Sequence, residues 1–287
     1  MVELSIIIPH YNSPDTLQKL IKSIPVLPQI EIIVIDDNSD KYINELKKCM
    51  EDNKERNVIF DFVDLPAKGA GAARNKGLSL ATGRWVLFAD ADDYFVEDLW
   101  DILCPCLEKK VDAIFFPPTS VYLTTGEISD RHVHYSDLVK NYLAEPTDLN
   151  ENLLRYKYWS PCSKVIRKEL LDYYGIWFDE VLHANDVMFS TKVGVYLKSF
   201  YVVDQTIYVI TQSDKSLTSD KSSKSMKIRS DILCNYYFFL SKHLEKKIMH
   251  QLGYTRKDFW YFVFYKCGLI EIRDIVISKF QKTGERQ

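Results

Sequence analysis

Residues Trp85 to Phe95 read WVLFADADDYF, and the rest of the chain is best understood from this stretch outward. Trp85 to Phe88 has the length and composition of a buried strand. It opens at once into three aspartates, Asp90, Asp92 and Asp93. Like charges crowded at a strand end repel one another and call for a cation. In open α/β sheets the C-terminal ends of strands are also where ligands bind. A divalent metal carrying a diphosphate would satisfy both conditions, because Mg²⁺ and Mn²⁺ suit carboxylate oxygens and substrate phosphates. A single aspartate would read as a helix cap or a loop residue. An EF-hand loop is excluded, since its sixth and twelfth positions, counted from Asp90, are Phe95 and Asp101.

Upstream, Leu4 to Ile8 is a uniformly apolar strand, and Pro9-His10-Tyr11-Asn12 follows as a loop. Ser13 caps a helix that has Pro14 at its first position and Leu17, Leu20, Ile21 and Ile24 on one face. Ile30 to Ile35 is a second buried strand and ends in Asp36 and Asp37. A polar helix over Tyr42 to Asn53 leads to a third strand, Val58 to Val63. The glycine- and alanine-rich segment from Lys68 to Gly77 allows close backbone approach. Lys68 and Arg74 either face a diphosphate or solvate the start of a helix. A dinucleotide fingerprint does not fit there, because the third glycine is misplaced and the first strand does not precede it. Strands alternating with helices predict an α/β fold, a mostly parallel sheet with helices on both faces. Two strand ends rich in acid place carboxylates along one rim of that sheet, where a nucleotide could lie.

Downstream the pattern is less regular. Ala113 to Phe116 is a strand, and residues 119–136 read as a polar hairpin or loop. Leu138 to Arg155 is weakly helical, and Lys168 to Tyr174 is a helix. Asp186 stands before an amphipathic helix, where a helix N-cap is its plain structural reading. Phe200 to Val203 and Ile207 to Ile210 are short strands, and residues 211–227 read as a mobile loop. Two helices, near 226–250 and 255–281, close the chain. The second is dense in aromatics, and a membrane surface, the preceding domain or a second copy of the chain would each cover it.

The 287 residues can bury a sizeable core. A net charge of −3 gives no case for nucleic-acid binding. The six cysteines form no C-x-x-C pair and no zinc spacing, which fits reduced thiols in the cytoplasm. The N-terminus lacks the pattern of a signal peptide, and no apolar run is long enough to span a membrane.

Four motifs in order, Ser5 to Asn12, Ile33 to Ser39, Gly71 to Gly77 and Gly83 to Asp93, resemble the family 2 glycosyltransferases of the GT-A fold. A looser resemblance runs through Ser163 to Leu171, Phe178-Asp179-Glu180, Asn185-Asp186 and Ser216-Leu217-Thr218. It implies a catalytic domain over residues 1–219, with a nucleotide-sugar half (1–105) and an acceptor half (106–219). Residues 220–287 are then a helical extension. It also implies a UDP-sugar donor whose base and ribose meet Pro9, Tyr11, Asn12, Asp36 and Asp37. Asp92 would touch the ribose or the donor sugar, and Asp93 would hold Mn²⁺ or Mg²⁺. Asp186 matches the family's catalytic base, while Asn185 replaces the acid that normally precedes it. The acceptor would be a glycan or lipid-linked hydroxyl in surface-polysaccharide synthesis. Peripheral membrane contact through the C-terminal helices and a homodimer are further expectations. A sugar nucleotidyltransferase would carry a basic, glycine-rich loop directly after the first strand, where Pro9 to Asn12 stands instead. An inactive, nucleotide-binding scaffold is the remaining alternative, raised by Asn185.

Overall fold

The computed structural model of the chain describes residues 1–63, 69–213, 222–255 and 257. Its first half runs β1 (Leu4–His10), α1 (Pro14–Ser23), β2 (Ile30–Asp36), α2 (Ile43–Asp52), β3 (Val58–Phe62), α3 (Ala70–Leu80), β4 (Trp85–Phe88), β5 (Tyr94–Phe95) and α4 (Leu99–Leu107). Then follow β6 (Ala113–Phe115), β7 (Thr119–Tyr122), α5 (Val133–Ala144), α6 (Asp148–Lys157), β8 (Lys164–Arg167), α7 (Lys168–Tyr174), α8 (Asn185–Tyr196), β9 (Phe200–Val202) and β10 (Tyr208–Gln212).

A seven-stranded sheet has the order β3-β2-β1-β4-β8-β6-β9, and only β8 runs antiparallel to its neighbours. The apolar runs form its centre: every residue of β1, β2 and β4 is buried. Strands covered on both faces are near-continuous apolar runs, and the buried exceptions inside them, Ser5 and Glu31, bond each other at 2.6 Å. Leu4 pairs with Ile30 on one side and Trp85 on the other, which aligns the three strands. His10 therefore lies opposite Asp36, and the aspartates after β4 emerge on the same rim. A second sheet, β5-β10-β7, crosses the region where β4 ends.

Several boundaries differ from the sequence reading for physical reasons. β1 continues through Pro9 and His10 rather than ending at Ile8. Pro9 is tolerated because β4 has already stopped beside it and pairing continues only with β2. The Ser13 side chain makes no cap bond; its N–H donates to His10 Nε2 at 3.1 Å instead. The weak helical stretch divides into α5 and α6, the second capped by Thr147. α8 begins at Asn185, with Ala184 at its N-cap, so Asp186 lies inside the first turn and is not the cap.

The chain divides into two compact units, Met1–Leu217 and Thr218–Gln287. In the second unit, α9 (Ser223–His243) and α10 (Lys246–Gln251) replace the single helix expected over 226–250. Among the described residues no helix is long and apolar enough to cross a membrane. The helix expected over 255–281, apart from residues 255 and 257, the Ser216 to Thr218 motif and Lys68 lie outside the described residues.

Candidate active site at the C-terminal rim of the sheet

On the β1–β2 side the acids are turned inward. Asp36 Oδ2 accepts hydrogen bonds from His10 Nδ1 at 2.7 Å and Ser39 Oγ at 2.6 Å, and its Oδ1 accepts from Ser39 N–H at 2.8 Å. His10 Nε2 receives the Ser13 N–H, so the ring is satisfied with its proton on Nδ1. Burial acts to raise the Asp36 carboxyl, but the bonds from His10 and Ser39 outweigh it and hold the group below its ordinary value. Asp37 Oδ2 accepts the Gly69 N–H at 2.8 Å. Asn12, with φ +52°, ties its amide to Asp40 and to the Lys41 N–H. Tyr11 is left exposed at the lip. Asp36, Asn38, Ser39 and Asp40 border a pocket of about 540 Å³ floored by Ile43, Leu46, Met50 and Phe62. Another pocket, about 480 Å³, lies at the opposite end of the sheet, where Arg84 and Lys168 already face acidic partners.

The aspartates after β4 divide into three roles. Asp90 pairs with Arg74 Nη2. Asp93 is buried, and both its oxygens are taken, Oδ2 by the Tyr208 hydroxyl at 2.7 Å and Oδ1 by the Thr211 N–H at 2.7 Å. Burial, then the charges of Asp92 and Asp90, push the Asp93 carboxyl well above the usual range. Asp92 is the exposed member. Crowding by surrounding protein, then the charge of Asp90, push it up to about 6, while Arg131 and Arg74 oppose the shift.

Arg74, left open by the sequence between a ligand contact and a solvated helix start, is buried. Its Nη1 donates to Asn185 Oδ1 at 2.7 Å, and its guanidinium sits 5.3 Å from the Phe178 ring centre. α3 reaches this position because Gly71 lies against the segment before α8; a Cβ there would come within 2.3 Å of Asp179 O. Asn75 fastens the same segment, exchanging two bonds with the Phe178 backbone at 2.8 and 3.0 Å. Phe178 and Phe189 stack at 3.8 Å with Phe88, the last residue of β4, edge-on to both. This packing sets the first turn of α8 beside the aspartate turn. Asp186 is half-buried there. Burial raises its carboxyl, Arg74 and Lys164 draw it down, and Asp90 pushes it up, with the net shift upward.

The donor set suits a hard divalent cation. It offers oxygen ligands only and carries more negative charge than Arg74 alone offsets. Among the described residues no three His, Cys, Asp or Glu side chains converge on one point. The protein can thus supply one or two ligands, which is how Mg²⁺ is usually held, with substrate phosphates completing the shell. Asp93, expected as the ligand, turns its oxygens inward; Asp92 presents its own to solvent. Tyr208, Thr211 and Lys164 were missed as site residues. A tyrosine within an apolar strand, such as Tyr208, reads as core. Lys164 lies inside the Ser163 to Leu171 motif, and a lysine within a buried strand is a usable signal.

Residues 5–175 match the family model described as Glycosyl transferase family 2. Over 215 residues the chain is 23% identical to the putative glycosyltransferase EpsH of Bacillus subtilis, covering 71% of this chain and 59% of EpsH. Over 222 residues it is 28% identical to the poly(ribitol-phosphate) β-N-acetylglucosaminyltransferase TarS of Staphylococcus aureus, covering 75% of this chain and 36% of TarS. The chain thus spans less than two thirds of the length of these relatives. Among solved structures, S. aureus TarS 1–349 in complex with UDP-GlcNAc superposes with a TM-score of 0.69 at 22% identity, over 92% of this chain and 73% of that one. The mannosyltransferase PcManGT of Pyrobaculum calidifontis, in complex with GDP-Man and Mn²⁺, gives 0.57 at 17% identity, over 87% and 68%. These likenesses show the fold, the GT-A arrangement of a mostly parallel sheet between helices.

Proposed function

The chain belongs to glycosyl transferase family 2, and on that premise we propose that it moves a sugar from a UDP-sugar to a hydroxyl of a glycan or lipid-linked acceptor, in surface-polysaccharide synthesis and with inversion. The observation that carries this reading is a pair of carboxylates of opposite circumstance that both feel the charges of Arg74 and Asp90. Asp92 is exposed on the rim after β4, and Asp186 is half-buried in the first turn of α8, with Arg74 between the halves. The UDP-GlcNAc and UDP complexes of TarS support a UDP-sugar as donor.

Tyr11, exposed beside Asp40, would pack on the base, with Pro9 and Asn12 shaping the loop beneath it. Asp36 and Asp37, bonded inward, hold that loop and the start of α3 rather than the ribose. Asp92 would hold Mn²⁺ or Mg²⁺, with Asp90 behind it. When bound, the cation neutralises charge growing on the leaving diphosphate. The acceptor hydroxyl is a weak nucleophile, and Asp186 takes its proton as its oxygen bonds the anomeric carbon and the diphosphate departs. One base and one displacement invert that carbon, whereas retention by a double displacement needs a second carboxylate as nucleophile. Asn185 is bonded within the site: its Oδ1 accepts from Arg74 and its Nδ2 donates to Val181 O. Asp186→Asn should lower transfer by ~10²–10⁴-fold while UDP affinity, measured calorimetrically, stays unchanged; near-normal transfer would mean another group is the base.

A further inference from the structure

The aspartate turn after β4 has four hydrogen bonds of 2.8 Å or less to one strand of the other sheet. The Asp90 N–H donates to the Tyr208 hydroxyl at 2.8 Å. That hydroxyl donates its single proton to Asp93 Oδ2 at 2.7 Å. Thr211 supplies the rest: its N–H goes to Asp93 Oδ1 at 2.7 Å and its Oγ1 donates to the Asp92 carbonyl at 2.5 Å. Within the turn, the Asp93 N–H closes on Asp90 O at 3.0 Å. Tyr208 is fully buried, pairs with Phe95 in the β5–β10 ladder and meets its ring at 5.3 Å. Asp90 is held on its other side by Arg74. Asp93 is thereby bonded at both oxygens, Asp90 at its N–H and at Oδ1, and the Asp92 side chain is the exposed one of the three.

We propose that Tyr208 and Thr211 are positioning residues that lock the Asp90–Asp93 turn from β10 so that Asp92 is presented to a divalent cation. The proposal rests on the transferase reading above. A tyrosine serving only the core could place its hydroxyl against any buried carbonyl. Tyr208 instead spends donor and acceptor on two residues of one turn, and Thr211 ties the residue between them. Without the hydroxyl, the Asp90 N–H and Asp93 Oδ2 lose buried partners and the turn gains alternative conformations, which weakens a ligand that needs a fixed oxygen.

The test is calorimetric titration of UDP, with and without saturating Mn²⁺, into the full chain and its Tyr208→Phe and Thr211→Val variants. Tyr208→Phe should lose at least about tenfold of the Mn²⁺-dependent gain in UDP affinity and keep its Mn²⁺-free affinity within about twofold. Thr211→Val, which retains the backbone bond to Asp93, should lose a smaller part of the gain. A gain equal to that of the wild type in both variants would overturn the inference, even if their melting temperatures fall, because it would reduce the contacts to packing. If Tyr208→Phe does not fold, an undiminished gain in Thr211→Val overturns it alone. A wild type that binds UDP without regard to Mn²⁺ would overturn the cation reading and this inference together.

Discussion

At the scale of single residues, the site keeps charges where water is scarce, and that has measurable consequences. The Asp186 carboxyl is raised, burial being the leading cause. A carboxyl whose folded pKa exceeds its unfolded value binds more protons in the folded state, so stability falls as pH rises through that interval. At neutral pH its charge therefore opposes folding, and Asp186→Asn should melt higher than the wild type even as transfer is lost. The acid limb of kcat/KM should lie above the ordinary carboxylate value of 3.8. Lys164 gives the reverse sign. It is 1% exposed, its Nζ donates to Tyr158 O at 3.0 Å, and burial draws its pKa down from 10.5 to about 7. The folded state then binds fewer protons than the unfolded one between about 7 and 10.5, so the wild type should gain stability as pH rises across that window. Lys164→Met should lack that gain. Denaturation at pH 7 and pH 10, with the difference between the two proteins compared, checks this, and parallel curves would refute it. Asp186 stood out only through the family resemblance, since the residue by itself reads as a helix N-cap. The inward turn of Asp93 could not be read at all, because three similar residues in four positions carry no sign of which one faces a strand more than a hundred positions away.

At the scale of elements, the site depends on how closely α3 approaches α8. Gly71 has room for no side chain against Asp179 O, and Gly77 would place a Cβ 2.5 Å from Ile7 Cγ2 on β1. Gly71→Ala should push α3 off the segment before α8, stretch the Arg74–Asn185 bond and cost about 1–3 kcal/mol of stability. Transfer should fall with it; an unchanged melting temperature and rate would show that the segment yields freely. β1, β2 and β4 were readable because a strand buried on both faces is a near-continuous apolar run, and the acids after β2 and β4 marked the rim. β5 was not, because two residues have no periodicity and become a strand only by pairing with β10. α4 was missed as well, its LWDILCPCL holding Pro105 inside the helix. β8 reads as a strand, but its direction follows from neighbours that are distant in sequence.

At the scale of the whole molecule, sheet order does the assembly. β1 lies between β2 and β4, so the ends of three apolar strands converge on one rim. The resulting crevice has a polar lip and, on the β2 side, an apolar-floored pocket, as ligand sites of open α/β sheets do. The central claim is that this rim holds a UDP-sugar through a cation at Asp92. It is tested most directly by thermal melting of the wild type and Asp92→Asn with UDP, GDP, CDP and ADP, each with and without Mn²⁺. A nucleotide that binds only the folded chain stabilises it by ~2.7 kcal/mol at a hundredfold excess over its dissociation constant. The predicted result is a shift with UDP that requires Mn²⁺ and is lost in Asp92→Asn. A UDP shift of equal size without Mn²⁺, or no shift with any of the four nucleotides, would contradict it.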